Sequence, residues 1–199
     1  MSKTRQAPLK DLHPTQLTVG MLVVRDKKKH LESLSAADRS SFMNAHPMPA
    51  VIGPGGVLYI TDHHHLGRAA LEAGISTGCF EVEADLSKCT TEAFWQEMNE
   101  NQWVHPLDEN GVRHFYSSIP AHLDKLVDDL YRSLAGFIRD AGGFDKTPTA
   151  FAEFIWADFF RRNIAIETVQ SDFQTAVHAG KSLAHSKWAK RIPGYNGSS

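Results

Sequence analysis

The strongest constraint on this chain is the stretch Gly53-Pro54-Gly55-Gly56-Val57-Leu58-Tyr59-Ile60-Thr61-Asp62-His63-His64-His65-Leu66-Gly67-Arg68-Ala69-Ala70. Glycine and proline together force a tight turn, and residues 57–61 are an apolar, β-prone run. With Ala50-Val51-Ile52 before the turn, two such runs around a four-residue loop predict a hairpin. Leu66, Ala69, Ala70 and Ala73 then fall at helical spacing and form a buried stripe. The first turn of that helix carries three histidines behind an aspartate. Unpaired backbone N–H groups and the positive end of the helix dipole lie there. A start of this kind is suited to an anion, phosphate above all.

The chain has 199 residues, of which 42% are hydrophobic and 22% charged, the balance of a soluble globular protein with one core and room for a helical extension. A formal net charge of −2 excludes a whole surface built to grip nucleic acid, though not a local basic patch. No apolar run approaches the roughly 20 residues that cross a bilayer, and the first residues lack the apolar core of a signal peptide. Cys79 and Cys89 have no metal-ligand spacing around them, so they read as reduced thiols of a cytoplasmic protein.

Residues 17–24 have strand character, and Lys27-Lys28-Lys29-His30 follows as either a solvated edge or a phosphate-facing patch. Ser35 is placed to cap a helix running through Phe42, Gly74 to end the histidine-led helix, and residues 80–84 alternate as a half-buried strand. From Thr90 the pattern reads as helical throughout. Thr90 or Thr91 caps a helix to about Trp103. Leu123, Leu126, Val127, Leu130, Leu134, Phe137 and Ile138 make one stripe, stopped by Gly142-Gly143. Phe151, Phe154, Ile155 and Phe159 make another, and Ser171 starts a last helix. The expected organisation is an α+β domain over 12–88 with a small mixed sheet, an all-helical extension over 89–192 packing on it, and flexible ends at 1–11 and 193–199.

Successive helical residues point about 100° apart, so three adjacent histidines cannot all hold one ion. His65, Arg68 and Glu72 are expected on the exposed face with His64 beside Arg68, and His63 nearer the core. Arg68 brings a fork of donors for phosphate. Asp62 has two readings. It caps the helix by accepting from the N–H of His64 or His65, or it faces the ligand as a general base or metal contact. The histidines have three: phosphate or nucleotide, a divalent metal, or no ligand. Carboxylates for a metal, such as Glu81 or Asp108, are not placed by spacing.

The segment from Ile60 to Ile75 resembles the phosphate-binding box of the ParB/sulfiredoxin superfamily, and Pro14-Thr15-Gln16-Leu17 resembles the start of that domain. The branch it is most similar to is that of ParB-like nucleases with an Asp-His-His-His strand end. Asp128 to Ala135, Arg139 to Gly143 and Glu153 to Phe159 extend the resemblance, which covers roughly residues 12 to 165. It implies a site for nucleotide phosphates, since partition proteins of the superfamily bind CTP, sulfiredoxins use ATP, and free-serine kinases transfer phosphate. His63, Leu66 and Ala69 match the Gly-x-x-Arg-x-x-Ala positions of partition proteins. Leu66 thus stands where they have arginine, and Arg68 matches a second arginine nearby. The sulfiredoxin cysteine is absent. The Asp-x-His-His pattern is nearer the free-serine kinases, where a carboxylate activates a hydroxyl.

The expectation is therefore a domain that binds a nucleotide (ATP, ADP or CTP) or another small phosphorylated ligand for phosphotransfer or phosphoester hydrolysis, with a divalent metal such as magnesium. Asp62 and His64 are the candidate catalytic residues. His63, His64, His65 and Arg68 are the candidate phosphate ligands, with Gly55 and Gly56 leaving room. Arg132, Arg139 and Lys146 form either a second basic wall or salt bridges to Asp128, Asp129 or Glu153. Lys181, Lys187, Lys190 and Arg191 with Trp188 make the C-terminus locally basic, as a solvated helix end or a nucleic-acid contact. A DNA-binding module or nuclease and a non-catalytic nucleotide switch are the competing readings. Against the first stands the lack of a basic helix-turn-helix.

Overall fold

The computed structural model describes residues 4–197. The chain folds as two compact units. Unit 1 comprises residues up to Val19 and 24–127, and unit 2 comprises residues 20–23 and those from Asp128 onward. The division falls at 127/128 and not at the expected 88/89.

Unit 1 holds a four-stranded mixed sheet in the order β1-β5-β3-β4, from β1 (Thr4–Pro8), β3 (Met48–Ile52), β4 (Leu58–Ile60) and β5 (Thr77–Asp85); the two-residue β2 (Thr18–Val19) lies outside it. β3 and β4 form the predicted antiparallel hairpin, with Ala50 opposite Ile60 and Ile52 opposite Leu58. Gly55 and Gly56 turn its corner at φ 72° and 80°, the left-handed region that favours glycine. β3 and β5 run parallel, and the chain between them passes through α3 (His64–Glu72). Leu66, Ala69 and Ala70 of α3 are buried, as their spacing predicts. A Cβ on Gly67 would stand 3.4 Å from Met48 and 3.5 Å from Ile60, which places this helix close against the sheet. α2 (Ala36–Ala45) is capped by Ser35 and α4 (Thr91–Glu100) by Thr90. Val51, Phe94, Met98 and Val104 make a core cluster of this unit.

Unit 2 is helical: α5 (Leu130–Asp140), α6 (Ala152–Asn163), α7 (Ile166–Ser171) and α8 (Phe173–Ala184). Leu134, Ile138, Trp156, Phe160 and Ala176 fill its core, with Trp156 stacked on Phe144 at 4.3 Å.

Several expectations need correction. Residues 17–24 are not one strand, since α1 (Met21–Ser33) opens at Met21. Its first N–H groups donate to Asp128 (2.9 Å) and to Ser133 (3.1 Å), partners more than a hundred residues away that no local pattern reveals. The lysine cluster lies on α1, where Lys28 meets Glu32 at 3.4 Å. Residues 101–129 form no α-helix. Pro106, Gly111 and Pro120 interrupt them, Leu123–Lys125 is a single 3-10 turn followed by β6 (Val127–Asp128), and Asp129 caps α5 so that the helix begins at Leu130. The last helix is capped by Asp172, not Ser171. Residues 4–8 are a strand paired with β5, not a flexible arm. Residues 193–197 are tied down as well, for Trp156 Nε1 donates to Pro193 O (2.8 Å) and Asp145 N to Gly194 O (2.7 Å). Residues 1–3 and 198–199 of the expected flexible ends lie outside the described residues.

Candidate functional site

The histidine-led helix start differs from the expected outward display. His64 is 4% exposed, and its Nε2 accepts from the Thr15 N–H at 3.0 Å. The ring proton therefore sits on Nδ1. Thr15 Oγ1 in turn donates to Ile60 O (2.8 Å). Arg68 is also drawn in: its Nε donates to Glu72 (2.6 Å) and its NH1 to Leu123 O (2.8 Å). His64 and Arg68 thus act as anchors, one on segment 13–16 and one on segment 121–123. Hydrophobic spacing cannot foresee this, because Thr15 lies in irregular chain and Leu123 in a single 3-10 turn.

Asp62 is exposed and does not cap α3 as expected. Its Oδ1 accepts from the N–H of His63 (2.6 Å), not from His64 or His65. His63 has φ 64° and ψ 25° and gives the helix no side-chain cap. A non-glycine residue in the left-handed region costs about 1–2 kcal/mol, and such strain gathers at functional sites. His63 and His65 are both half-buried.

A cavity of about 440 Å³ opens in the same unit, walled by His13, Tyr59, Trp95, Phe115, Tyr116 and Pro120 among others. That volume suits a small ligand. The walls are a chain of rings. Trp95 stacks on Tyr116 at 5.2 Å with 11° between planes, stands 5.7 Å from Tyr59, and Tyr59 meets His13 edge-on at 5.1 Å. Tyr59 stands on this side because strand alternation sends Leu58 and Ile60 to the core and the residue between them outward. Gly53 lets its ring lie close, since a Cβ there would fall 2.5 Å from Tyr59 Cε2. His122 is exposed and its ring lies 6.0 Å from that of His13. Burial, and then the charge of His122, hold His13 below the usual histidine range. Burial raises the Tyr59 phenol.

None of these cavity residues was singled out by sequence reasoning. The alternation of β4 carried a signal for Tyr59, whereas His13, Trp95 and Tyr116 come from segments that only the fold brings together. Among the described residues, no three His, Cys, Asp or Glu side chains are grouped to hold a metal, and no helix is long and apolar enough to cross a membrane.

The expected second wall lies in unit 2. Arg132 is 4% exposed, sits 3.5 Å over the Phe154 ring and faces Glu153 at 3.7 Å. Arg139 pairs with Glu153 and with Asp140. Both arginines therefore have the acidic partners of the salt-bridge reading, while Lys146 is exposed.

Residues 5–162 match the sequence profile of the family described as "Putative ParB-like nuclease". Protein Atu1540 from Agrobacterium tumefaciens is similar in structure, with a TM-score of 0.91 and 34% identity over 99% of this chain and 100% of that one. The C-terminally truncated chromosome-partitioning protein ParB from Caulobacter crescentus, solved with CTP-gamma-S, aligns over 96% of this chain and 98% of its own at 16% identity. Its TM-score is 0.35, too low to bear on fold or function. No curated protein matches the chain. A profile that spans most of the sequence, with a relative 34% identical along its full length, places this chain in the ParB-like nuclease family.

Proposed function

We propose that unit 1 binds a nucleotide, with the base in the aromatic cavity and the phosphates directed toward His122 and the start of α3. One observation carries the reading: three separate segments run from the cavity wall to that helix. His13 lines the cavity and Thr15 bonds His64; Tyr59 lines it and the chain enters α3 five residues on; Ala121 lines it and Leu123 O holds Arg68. The two anchors of α3 thereby fix the shape of the cavity. Rings with few fixed polar groups suit a flat base, whose stacking on aromatic side chains is worth about 1–3 kcal/mol. His13 and His122, their rings 6.0 Å apart, carry ring N–H donors that an oxyanion would accept from. A phosphate near exposed Asp62 would arrive with magnesium to offset the like charge. On this reading Asp62 takes the proton from a hydroxyl acceptor.

The test is thermal denaturation with ATP, ADP, CTP and inorganic phosphate, each with and without magnesium. A ligand that binds only the folded chain stabilises it by about 2.7 kcal/mol at 100 times its Kd. At least one nucleotide is expected to raise Tm and phosphate alone to do little. Exposed His122→Gln keeps the fold and loses most of that shift, and Trp95→Leu loses it for every nucleotide. A panel without any nucleotide shift, or shifts unchanged in both variants, contradicts the reading. Turnover on adding a hydroxyl compound such as serine, abolished by Asp62→Asn, extends binding to phosphotransfer.

A further inference from the structure

The C-terminal part of unit 2 carries a surface independent of the unit 1 cavity. After Asp172 the sequence has no aspartate or glutamate, yet it contains Lys181, Lys187, Lys190 and Arg191. The family profile ends at residue 162, so this chemistry lies beyond what the profile describes. Trp188 stands 73% exposed at the centre of the run. Its display is built into the turn Lys187–Ala189. Ser186 Oγ accepts from the Trp188 N–H at 3.3 Å, and the neighbouring Ala189 is fully buried in the Trp156 core, which leaves the indole in solvent. Lys187 Nζ lies 5.2 Å from the indole centroid, and Lys187, Lys190 and Arg191 are all exposed. An acid that meets this segment is Asp145, whose carboxylate accepts from Asn196 at 2.9 Å; Lys146 follows it.

We infer that this turn is a contact surface for single-stranded nucleic acid, with Trp188 stacking on an exposed base and the flanking lysines and arginine meeting phosphates. An aromatic face interleaved with cations is the arrangement by which single strands are held without reading their sequence. A duplex keeps its bases stacked and offers this indole no face. A bilayer would require a broader apolar surface than one tryptophan provides. With a net charge of −2 for the whole chain, the attraction is local and sensitive to salt.

The experiment is fluorescence anisotropy of a labelled oligothymidine about 12 nucleotides long with the full chain, between about 50 and 200 mM salt. Trp188→Ala is expected to weaken binding at least about fivefold. The combined substitution Lys187→Gln, Lys190→Gln and Arg191→Gln is expected to flatten the log–log salt slope by about 2, at about 0.7 per cation for a single strand. Both variants change exposed side chains and should keep the parent Tm. Stronger binding of the single strand than of a duplex of equal length supports the assignment. It is overturned if Trp188→Ala leaves affinity unchanged, if the duplex binds as well, or if phosphatidylserine vesicles are bound and the oligonucleotide is not.

Discussion

At the start of α5, Asp129 is 3% exposed and accepts from the N–H groups of Tyr131 (2.9 Å) and Arg132 (3.3 Å), while Arg161 closes on its other oxygen at 2.7 Å. At the start of α3, the cap residue is a left-handed histidine that contributes no side-chain cap. The first helix start is neutralised from within and sealed. The second has its side chains spent elsewhere: His64 on Thr15, Arg68 on Leu123, Asp62 on the N–H of a residue outside the helix. The contrast teaches how a helix start is committed to stability or kept for a ligand. Where an acid caps the first turn, an anion is excluded. At α3 no side chain caps the first turn, and on the proposed reading that start is the one kept for a phosphate.

Substitutions that exchange the properties of the two starts should break or sharpen this contrast. The largest effect is expected from Asp129→Ala, which removes the α5 cap and the buried carboxylate of an ion pair with half-buried Arg161, leaving that arginine paired with Asp158. It should cost about 3 kcal/mol in denaturant unfolding with no change in nucleotide binding. His64→Ala should cost about 2 kcal/mol through the lost buried bond and its void, but unlike Asp129→Ala it should also abolish the ligand-induced Tm rise, because segment 13–16 loses its anchor. Arg68→Ala follows with about 1.5 kcal/mol, the low end for hydrogen bonds made by a charged group. His63→Gly should run the other way, gaining up to about 1 kcal/mol as left-handed strain is relieved, while weakening nucleotide affinity.

The smallest effect concerns pH. His13 titrates below its unfolded value of about 6.5, so under that pH the unfolded chain takes up a proton that the folded chain refuses. Stability from this group is complete above about 6.5 and is lost as pH falls toward the folded pKa. His13→Gln should show less loss between pH 7 and 5 by thermal denaturation.

Much of the local architecture was legible in the sequence. The hairpin around Gly53 to Gly56, the buried stripe of α3 and the caps Ser35 and Thr90 all follow from short-range rules. Some failures have a remote partner as their cause, and others a nearby cap or breaker that the apolar spacing masks. Met21 opens a helix because Asp128 and Ser133 receive its first N–H groups. Leu123, Leu126 and Val127 imitate a helical stripe, yet Asp129 cuts the helix short. The site followed the same division. The unusual residues 62–68 draw attention to the start of α3, but nothing in them tells that His64 and Arg68 face inward. The cavity was unreadable because His13, Trp95 and Tyr116 line it together only through the fold.

Amide and indole chemical shifts during titration of the labelled protein with magnesium nucleotide test the central claim most directly. The account predicts that the Trp95 indole N–H, the His13 and Tyr59 amides and the first-turn amides His64, His65 and Leu66 move together along one saturation curve, with Tyr131 and Arg132 still. Shifts confined to α5, or none at the Trp95 indole while nucleotide binds, would contradict it.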